Sequence, residues 1–186
     1  PDLAAALAEG IQAAGVDVVD VGRVATPMLY FAAHHLGTLS GVMVTGSHNP
    51  PDYNGLKIML AGDTLAGDAI QGLRQRIERG DVASGDGQYR TADIAAAYLA
   101  RITGDVKLAR PMKIAVDCGN GIAGAFAPEL YRRLVCEVTQ LFCEVDGTFP
   151  NHHPDPSVMK NLEDLKRALA KGDEELGLAF DGDGDR

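Results

Sequence analysis

Apolar residues along the chain alternate between helical spacing and short continuous runs. A first set recurs at the spacing of one helical face and stops before Gly15, namely Leu3, Ala6, Leu7, Ile11 and Ala14. The continuous run Val16 to Val21 that follows is typical of a buried strand. Thr26 and Pro27 then mark the start of a second helix, because threonine can cap a first turn and proline tolerates one.

The same alternation continues to the end of the chain. Helices are predicted over residues 26–36, 66–79, 92–102, 123–134 and 161–170, and strands over 39–44, 56–60, 113–116, 138–142 and 176–180. The segment Gly80 to Arg90 is polar and glycine-rich, and it separates two such series. We therefore predict an α/β fold with two consecutive α/β units, residues 1–91 and 92–186, and mixed, largely parallel sheets.

Composition and charge exclude some classes of partner. The chain has 186 residues, of which 46% are hydrophobic, enough for an ordinary globular core. Its formal net charge is -9, and such a surface repels nucleic acid and anionic membranes, so neither is an expected partner. No apolar tract is long enough to span a membrane. A small anionic substrate remains compatible with this charge, because a bound metal ion can reverse the field locally.

The cysteines and the first residue bear on the compartment. Cys118, Cys136 and Cys143 form an odd set without C-x-x-C spacing, whereas a disulfide framework normally leaves an even count. We therefore expect reduced thiols and a cytoplasmic location. The sequence begins with Pro1 and shows no basic-then-apolar leader, so we expect a cut or processed N-terminus with any targeting signal outside this sequence.

The stretch Thr45 to Met59 presents reactive side chains on a loop that follows an apolar strand. Its glycine, asparagine and prolines exclude regular structure around Ser47 and His48, and Lys57 follows further along. An ordinary turn is the alternative interpretation. A hydrolase triad is disfavoured, because adjacent side chains rarely pair as nucleophile and base and Ser47 has no G-x-S-x-G around it. Ser47 is therefore better suited to holding a chemical group.

The last residues of the sequence, Asp181 to Arg186, place three carboxylates at alternate positions directly after an apolar run. Intervening glycines allow a tight loop to bring these side chains to one point, and hard cations such as Mg²⁺ or Ca²⁺ prefer such oxygen ligands. An acidic surface turn is the alternative. An EF-hand is excluded, because Arg186 stands where that loop needs glycine. We predict a metal site formed by Asp181, Asp183 and Asp185.

A G-x-G-x-x-G pattern over residues 119–124 lies between a predicted strand and a predicted helix, and Glu144 follows at the spacing of a dinucleotide fingerprint. A tight strand-to-helix turn that needs glycine is equally compatible with these residues. The neighbouring pairs His34–His35 and His152–His153 are predicted to have surface or capping roles, because adjacent residues lack the geometry of a metal pair.

Two of these loops together resemble a known family. Thr45-Gly46-Ser47-His48-Asn49-Pro50 with Asn54-Gly55-Leu56-Lys57 resembles the phosphoserine loop of the α-D-phosphohexomutases, and residues 181–186 resemble their metal loop. The segments 117–121 and 147–152 are similar to the second domain of that family. Gly46 and Gly184 resemble the bacterial phosphomannomutase/phosphoglucomutase branch.

The resemblance implies four domains, of which this chain contains the first two, both incomplete. Domains III and IV would then be partners within a longer, monomeric parent, and they would supply the loops that recognise the sugar and its phosphate. The resemblance implies interconversion of the 1- and 6-phosphates of mannose or glucose through phosphoserine and a bisphosphorylated sugar. The fragment is expected to be inactive alone.

The resemblance also implies a role for each matching residue. Ser47 would carry the phosphoryl group, and one of its phosphate oxygens would join the three aspartates around Mg²⁺. Lys57 would move protons, His48 would donate to the phosphoryl oxygens, and Asn49 and Arg186 would bind phosphate. The turn 119–124 becomes a fold element in this interpretation. An NAD-dependent oxidoreductase built on that turn, and a non-catalytic α/β module, stay as alternatives.

Overall fold

The computed structural model describes residues 2–47, 49 and 53–186, and six α-helices, two 3₁₀ helices and eight strands lie within these residues. The α-helices are α1 Asp2–Ala13, α2 Thr26–His35, α3 Asp68–Glu78, α4 Ala95–Asp105, α5 Ala127–Arg133 and α6 Glu163–Lys171. The strands are β1 Val18–Asp20, β2 Gly41–Thr45, β3 Gly55–Leu60, β4 Asp63–Thr64, β5 Tyr89–Thr91, β6 Met112–Asp117, β7 Cys136–Leu141 and β8 Leu176–Ala179. Within this described part, no helix has the length and apolarity needed to cross a membrane.

The chain divides into two compact units that are not continuous in sequence. The first comprises Pro1–Gly22, Leu29–Val44 and Leu56–Asp93, and the second comprises Arg23–Met28, Thr45–Gly55 and Ile94–Arg186. The domain ranges 1–91 and 92–186 stay a prediction.

The first unit contains two small sheets. Strand β1 pairs in parallel with β5, and strands β2, β3 and β4 follow one another in a second sheet in which β3 and β4 are antiparallel. Helix α2 packs its Leu29 against β2, where a Cβ added to Gly41 would lie 3.3 Å from the Leu29 Cδ1 atom. Strands β4 and β5 were not predicted. All residues of β5 are exposed, so pairing through the main chain leaves no hydrophobic alternation in the sequence.

The second unit is built on a parallel sheet in the order β7–β6–β8. The central strand β6 is buried along most of its length and forms the core with the first residues after it and with the start of α5. Asp117 at the end of β6 pairs with Leu141 of β7 and Ala179 of β8. The loops after all three strands therefore begin at one edge of the sheet, where open α/β folds bind ligands.

Two predicted helices of this unit begin as 3₁₀ turns. The segment predicted as one helix over 123–134 forms a 3₁₀ helix, Ile122–Ala125, and then α5, with Pro128 in the first turn of α5. The segment before α6 forms a second 3₁₀ helix, Met159–Leu162. The predicted irregularity at Pro128 is thus a helix start, which proline favours because its missing N–H is not needed there. The predicted fold class, two α/β units with mixed, largely parallel sheets, is confirmed.

Candidate active site

The loop after β8 gathers the predicted carboxylates. One carboxylate oxygen from each of Asp181, Asp183 and Asp185 lies within 4.8 Å of the others. Asp181 is completely buried and Asp183 is 5% exposed, whereas Asp185 is exposed. The loop turns tightly at Gly184, whose φ of +70° is a left-handed conformation that glycine adopts without steric cost.

Asp181 is the centre of the hydrogen bonds that shape this loop. Its Oδ1 atom accepts the backbone N–H groups of Asp185 and Arg186, each at 3.1 Å. Its Oδ2 atom accepts the Arg186 Nε–H at 3.2 Å. The structure therefore places Arg186 beside the aspartates, with a side chain that is 42% exposed and accessible to a phosphate group.

Ser47 lies directly against two of the carboxylates. Its Oγ atom is 3.0 Å from Asp181 Oδ2 and 3.1 Å from Asp183 Oδ1. A Cβ added to Gly182 would lie 2.3 Å from the Ser47 carbonyl oxygen, so a glycine in the metal loop is what allows the serine loop to approach. The structure thus brings together residues that are more than a hundred positions apart in sequence.

The electrostatics of this cluster suit a hard cation. Burial raises the pKa of the Asp181 carboxyl, and the neighbouring Asp183 and Asp185 charges raise this pKa further, against hydrogen bonds from Arg186 and Ser47 that lower it. Carboxylates this close repel one another, and a divalent ion held between them would offset that repulsion. An oxygen-only donor set of this kind fits Mg²⁺. The three aspartates can therefore hold a metal ion.

The remaining predicted site residues are Asn49, Lys57 and His48. Asn49 is exposed, and its backbone N–H donates to the Gly46 carbonyl at 2.9 Å. Lys57 is half-buried on β3 in the first unit, so its relation to Ser47 stays a prediction. His48 lies outside the described residues.

An open cleft of about 220 Å³ lies beside Ser47. Its lining combines the serine loop, one glycine of the metal loop and the segment after β7, through Thr45, Gly46, Ser47, Asn49, Tyr53, Asn54, Gly147, Phe149 and Gly182. The segment 147–152, singled out in the sequence only by resemblance, therefore contributes a wall of the same cleft.

Two threonines contact the site without having been predicted as site residues. Thr26 Oγ1 donates to Asp183 Oδ2 at 2.8 Å, and Thr45 Oγ1 donates to the same oxygen at 3.0 Å. Thr26 was predicted only as a helix start, and Thr45 only as part of a motif. No local pattern reveals the first contact, because its partners are separated by 157 positions.

The prediction for His152 was wrong. Its ring is largely buried, with Nε2 lying 3.1 Å from Asp117 Oδ1, and it packs against the Phe142 ring in a T-shaped arrangement. Asp117 is itself buried, and burial raises the pKa of this carboxyl while the Gly119 N–H and His152 lower it. His152 therefore serves as the partner of a buried carboxylate.

The glycines of the G-x-G-x-x-G turn serve chain packing. A Cβ on Gly124 would lie 2.1 Å from the Cys143 carbonyl oxygen, and one on Gly121 would lie 2.9 Å from the Gly182 carbonyl oxygen. The N–H of Ile122, which opens the 3₁₀ helix, donates to the Gly182 carbonyl at 3.1 Å. Protein backbone therefore occupies the position beside Gly121 at which the pyrophosphate of a dinucleotide would need to approach, whereas the packing at Gly124 is compatible with either kind of turn. The turn also supports the metal loop.

Fold and site together define an α/β protein with a serine–carboxylate site at the C-terminal edge of a parallel sheet. Residues 1–84 match the family model for phosphoglucomutase/phosphomannomutase, alpha/beta/alpha domain I, and residues 96–186 match the model for domain II. The chain belongs to the phosphoglucomutase/phosphomannomutase family. The family recognised from the motifs is confirmed.

Curated relatives and solved structures agree with this assignment. The chain is 60% identical to a phosphoglucomutase of Neisseria meningitidis serogroup B and 55% identical to a phosphomannomutase/phosphoglucomutase of Pseudomonas aeruginosa PAO1. These alignments cover the whole chain but only 41% and 40% of the relatives. A crystal structure of a Burkholderia thailandensis family protein superimposes with a TM-score of 0.92 at 50% identity, covering 42% of that protein. The chain thus spans about two fifths of the length of these proteins.

Proposed function

We propose that this chain is the N-terminal part of a phosphosugar mutase that interconverts hexose 1-phosphate and hexose 6-phosphate, with mannose or glucose as the sugar. The observation that carries this proposal is the Ser47 hydroxyl held within 3.1 Å of two buried carboxylates. The names of the relatives support the substrate class. Further domains of the parent, III and IV, would recognise the sugar, so the chain is expected to be inactive alone.

Ser47 is proposed to carry the phosphoryl group. A sugar hydroxyl attacks the phosphorus of phospho-Ser47, a new sugar O–P bond forms, and the bond from Ser47 Oγ to phosphorus breaks. The proton leaves the sugar hydroxyl and one proton returns to Ser47 Oγ, so that the bisphosphorylated sugar can return its other phosphate to Ser47. Lys57 is proposed to move these protons, because a lysine amine can act as a general acid or base.

Charge is the main obstacle to this chemistry, because phosphoserine carries nearly two negative charges and must meet an anionic substrate. Asp181, Asp183 and Asp185 are proposed to hold Mg²⁺ together with an oxygen of phospho-Ser47. When bound, Mg²⁺ neutralises part of this charge and withdraws electron density from phosphorus. His48, Asn49 and Arg186 are proposed to bind phosphoryl oxygens, and the exposed fork of Arg186 beside Asp181 suits that role.

Two further assignments belong to the proposal. Cys118, Cys136 and Cys143 are free thiols, and we propose a reducing, cytoplasmic compartment for them. The alternative of an NAD-dependent oxidoreductase loses its basis, because backbone fills the glycine turn on which it depended.

Intact-mass spectrometry of the full-length protein tests the proposal. We expect a species heavier by one phosphate that disappears in Ser47→Ala, together with a loss of hexose-phosphate interconversion by at least about 1,000-fold, as for removal of a covalent catalyst. Ser157→Ala is a matched control, because the Ser157 hydroxyl bonds Asp155 on an exposed loop. A full-length protein that never carries phosphate and never interconverts the two hexose phosphates contradicts the proposal.

A further inference from the structure

Asp183 is held by two hydroxyl groups from separate segments of the second unit, and neither has an assigned role. We propose that Thr26 and Thr45 are positioning residues that orient the Asp183 carboxylate toward the cation and toward Ser47. This inference rests on the proposed function for the identity of the cation. The hydrogen bonds that support it are all made within this chain.

Thr26 makes two hydrogen bonds to Asp183. The Thr26 backbone N–H donates to the Asp183 carbonyl at 2.9 Å, and its hydroxyl donates to Asp183 Oδ2 at 2.8 Å. Thr26 is completely buried at the start of α2, so water does not compete for these bonds. Main chain and side chain of Asp183 are therefore fixed by one residue.

Thr45 connects Asp183 to the turn that carries Ser47. The Thr45 hydroxyl donates to Asp183 Oδ2 at 3.0 Å and accepts the Ser47 backbone N–H at 2.8 Å. Ser47 has a φ of +49°, a left-handed conformation that is costly for a residue with a Cβ. The Thr45 hydroxyl thus stabilises this turn and the carboxylate orientation at the same time.

Both hydroxyl groups donate to the same oxygen of Asp183, Oδ2, and this fixes the direction in which the other oxygen points. With Oδ2 held by two hydroxyl groups, Oδ1 points to Ser47 Oγ at 3.1 Å. A carboxylate held by one bond can rotate, whereas two donors from different segments fix its plane. Asp183 therefore presents Oδ1 to the place where a cation and the serine oxygen would meet.

The test compares Thr26→Val and Thr45→Val with Thr26→Ser and Thr45→Ser in the full-length protein. Valine keeps the branched shape and removes the hydroxyl, whereas serine keeps the hydroxyl. Thr103→Val is the matched control, because the Thr103 hydroxyl bonds the Leu99 carbonyl within helix α4. Mg²⁺ affinity is measured by calorimetric titration, phosphate content by intact mass, and folding by the thermal unfolding midpoint.

We expect each valine variant to bind Mg²⁺ about 10- to 100-fold more weakly than wild type, the range found when partners of metal ligands are removed. The serine variants should recover affinity to within a few fold, and Thr103→Val should bind Mg²⁺ as wild type does. Thr45→Val should also lower kcat more than it changes KM, since it releases the Ser47 turn.

Wild-type Mg²⁺ affinity in both folded valine variants overturns the inference and leaves the proposed function intact. Equal weakening in the valine and serine variants also overturns it, because shape rather than the hydroxyl would then be responsible. If a valine variant unfolds, its serine counterpart decides, since weak Mg²⁺ binding by that folded serine variant contradicts the inference and wild-type binding supports it. A wild-type protein that binds Mg²⁺ but never carries phosphate removes the proposed function and leaves the positioning role testable by affinity alone.

Discussion

Ser47 shows how one residue obtains its position from its neighbours rather than from its own preferences. A left-handed serine is unfavourable, and it is retained here by the Thr45 hydroxyl on one side and two aspartates on the other. Gly182 removes the steric obstacle to this contact. The motif in the sequence identified the reactive serine, and only the folded chain shows what faces it.

A second residue-scale feature is the thiol pair of Cys118 and Cys143, whose sulfur atoms lie 3.3 Å apart. The hydrogen bond between the two thiols lowers the pKa of Cys143, whereas the same hydrogen bond and burial raise the pKa of Cys118. We expect iodoacetamide to modify Cys143 before Cys118, because the thiolate is the reactive form. The rate at Cys143 should rise as pH increases through its lowered pKa.

Peptide mapping by mass spectrometry after timed labelling measures this order. Denatured protein serves as the control, in which all three cysteines should react at similar rates. Labelling of Cys118 ahead of Cys143 in the folded protein contradicts the expectation.

At the scale of elements, the turn between β6 and α5 joins the sheet to the metal loop. Its glycines allow close contact with the backbone of Cys143 and Gly182. The turn therefore holds the aspartate loop against the edge of the sheet. The same spacing of glycines is compatible with a dinucleotide turn, because both require close approach of a backbone. A packing turn and a dinucleotide-binding turn differ in whether protein backbone or a ligand lies against the glycines. Only the tertiary structure shows which of these is present.

Gly124→Ala tests this packing. The added Cβ would lie 2.1 Å from the Cys143 carbonyl oxygen, so we expect a loss of about 1–3 kcal/mol in the free energy of unfolding, typical of overpacking. Gly72→Ala is the matched control on α3, where, apart from the adjacent residues and the backbone of α3 itself, no heavy atom of the described residues lies within 4 Å of the added Cβ. That variant should gain about 0.5–1 kcal/mol from its better helix propensity.

Denaturant unfolding of the full-length protein measures both changes. A Gly124→Ala protein as stable as wild type would show that the turn relaxes without cost. Destabilisation by Gly72→Ala would show that the comparison does not isolate packing.

At the scale of the whole molecule, the chain supplies a serine and its carboxylates but spans only about two fifths of its relatives. We therefore expect this chain alone to show no hexose-phosphate interconversion, while it retains Mg²⁺ binding through the second unit. A coupled assay and calorimetric titration, with the full-length protein as the positive control and its Ser47→Ala variant as the background, measure the two properties. Turnover by the chain alone above that background contradicts the expectation.

Most of the fold was predictable from local patterns. Helices α2, α4, α5 and α6 and strand β6 contain buried apolar residues, and burial leaves hydrophobic periodicity in the sequence. Strand β5 left no such signal because all of its residues are exposed where it pairs with β1. The carboxylates were predictable because a short run of aspartate and glycine already contains the ligand chemistry.

The sequence alone specified the order of the α/β elements, the reactive serine and the acidic loop, since each depends on residues that are neighbours along the chain. The tertiary structure decided which oxygens face Ser47, that Thr26 and Thr45 hold Asp183, and that His152 pairs with Asp117. These contacts join segments far apart in sequence, and the parallel strands β6 and β8 bring Asp117 and the start of the aspartate loop to one edge of their sheet. Local chemistry therefore names the reacting groups, and long-range packing gives them their geometry.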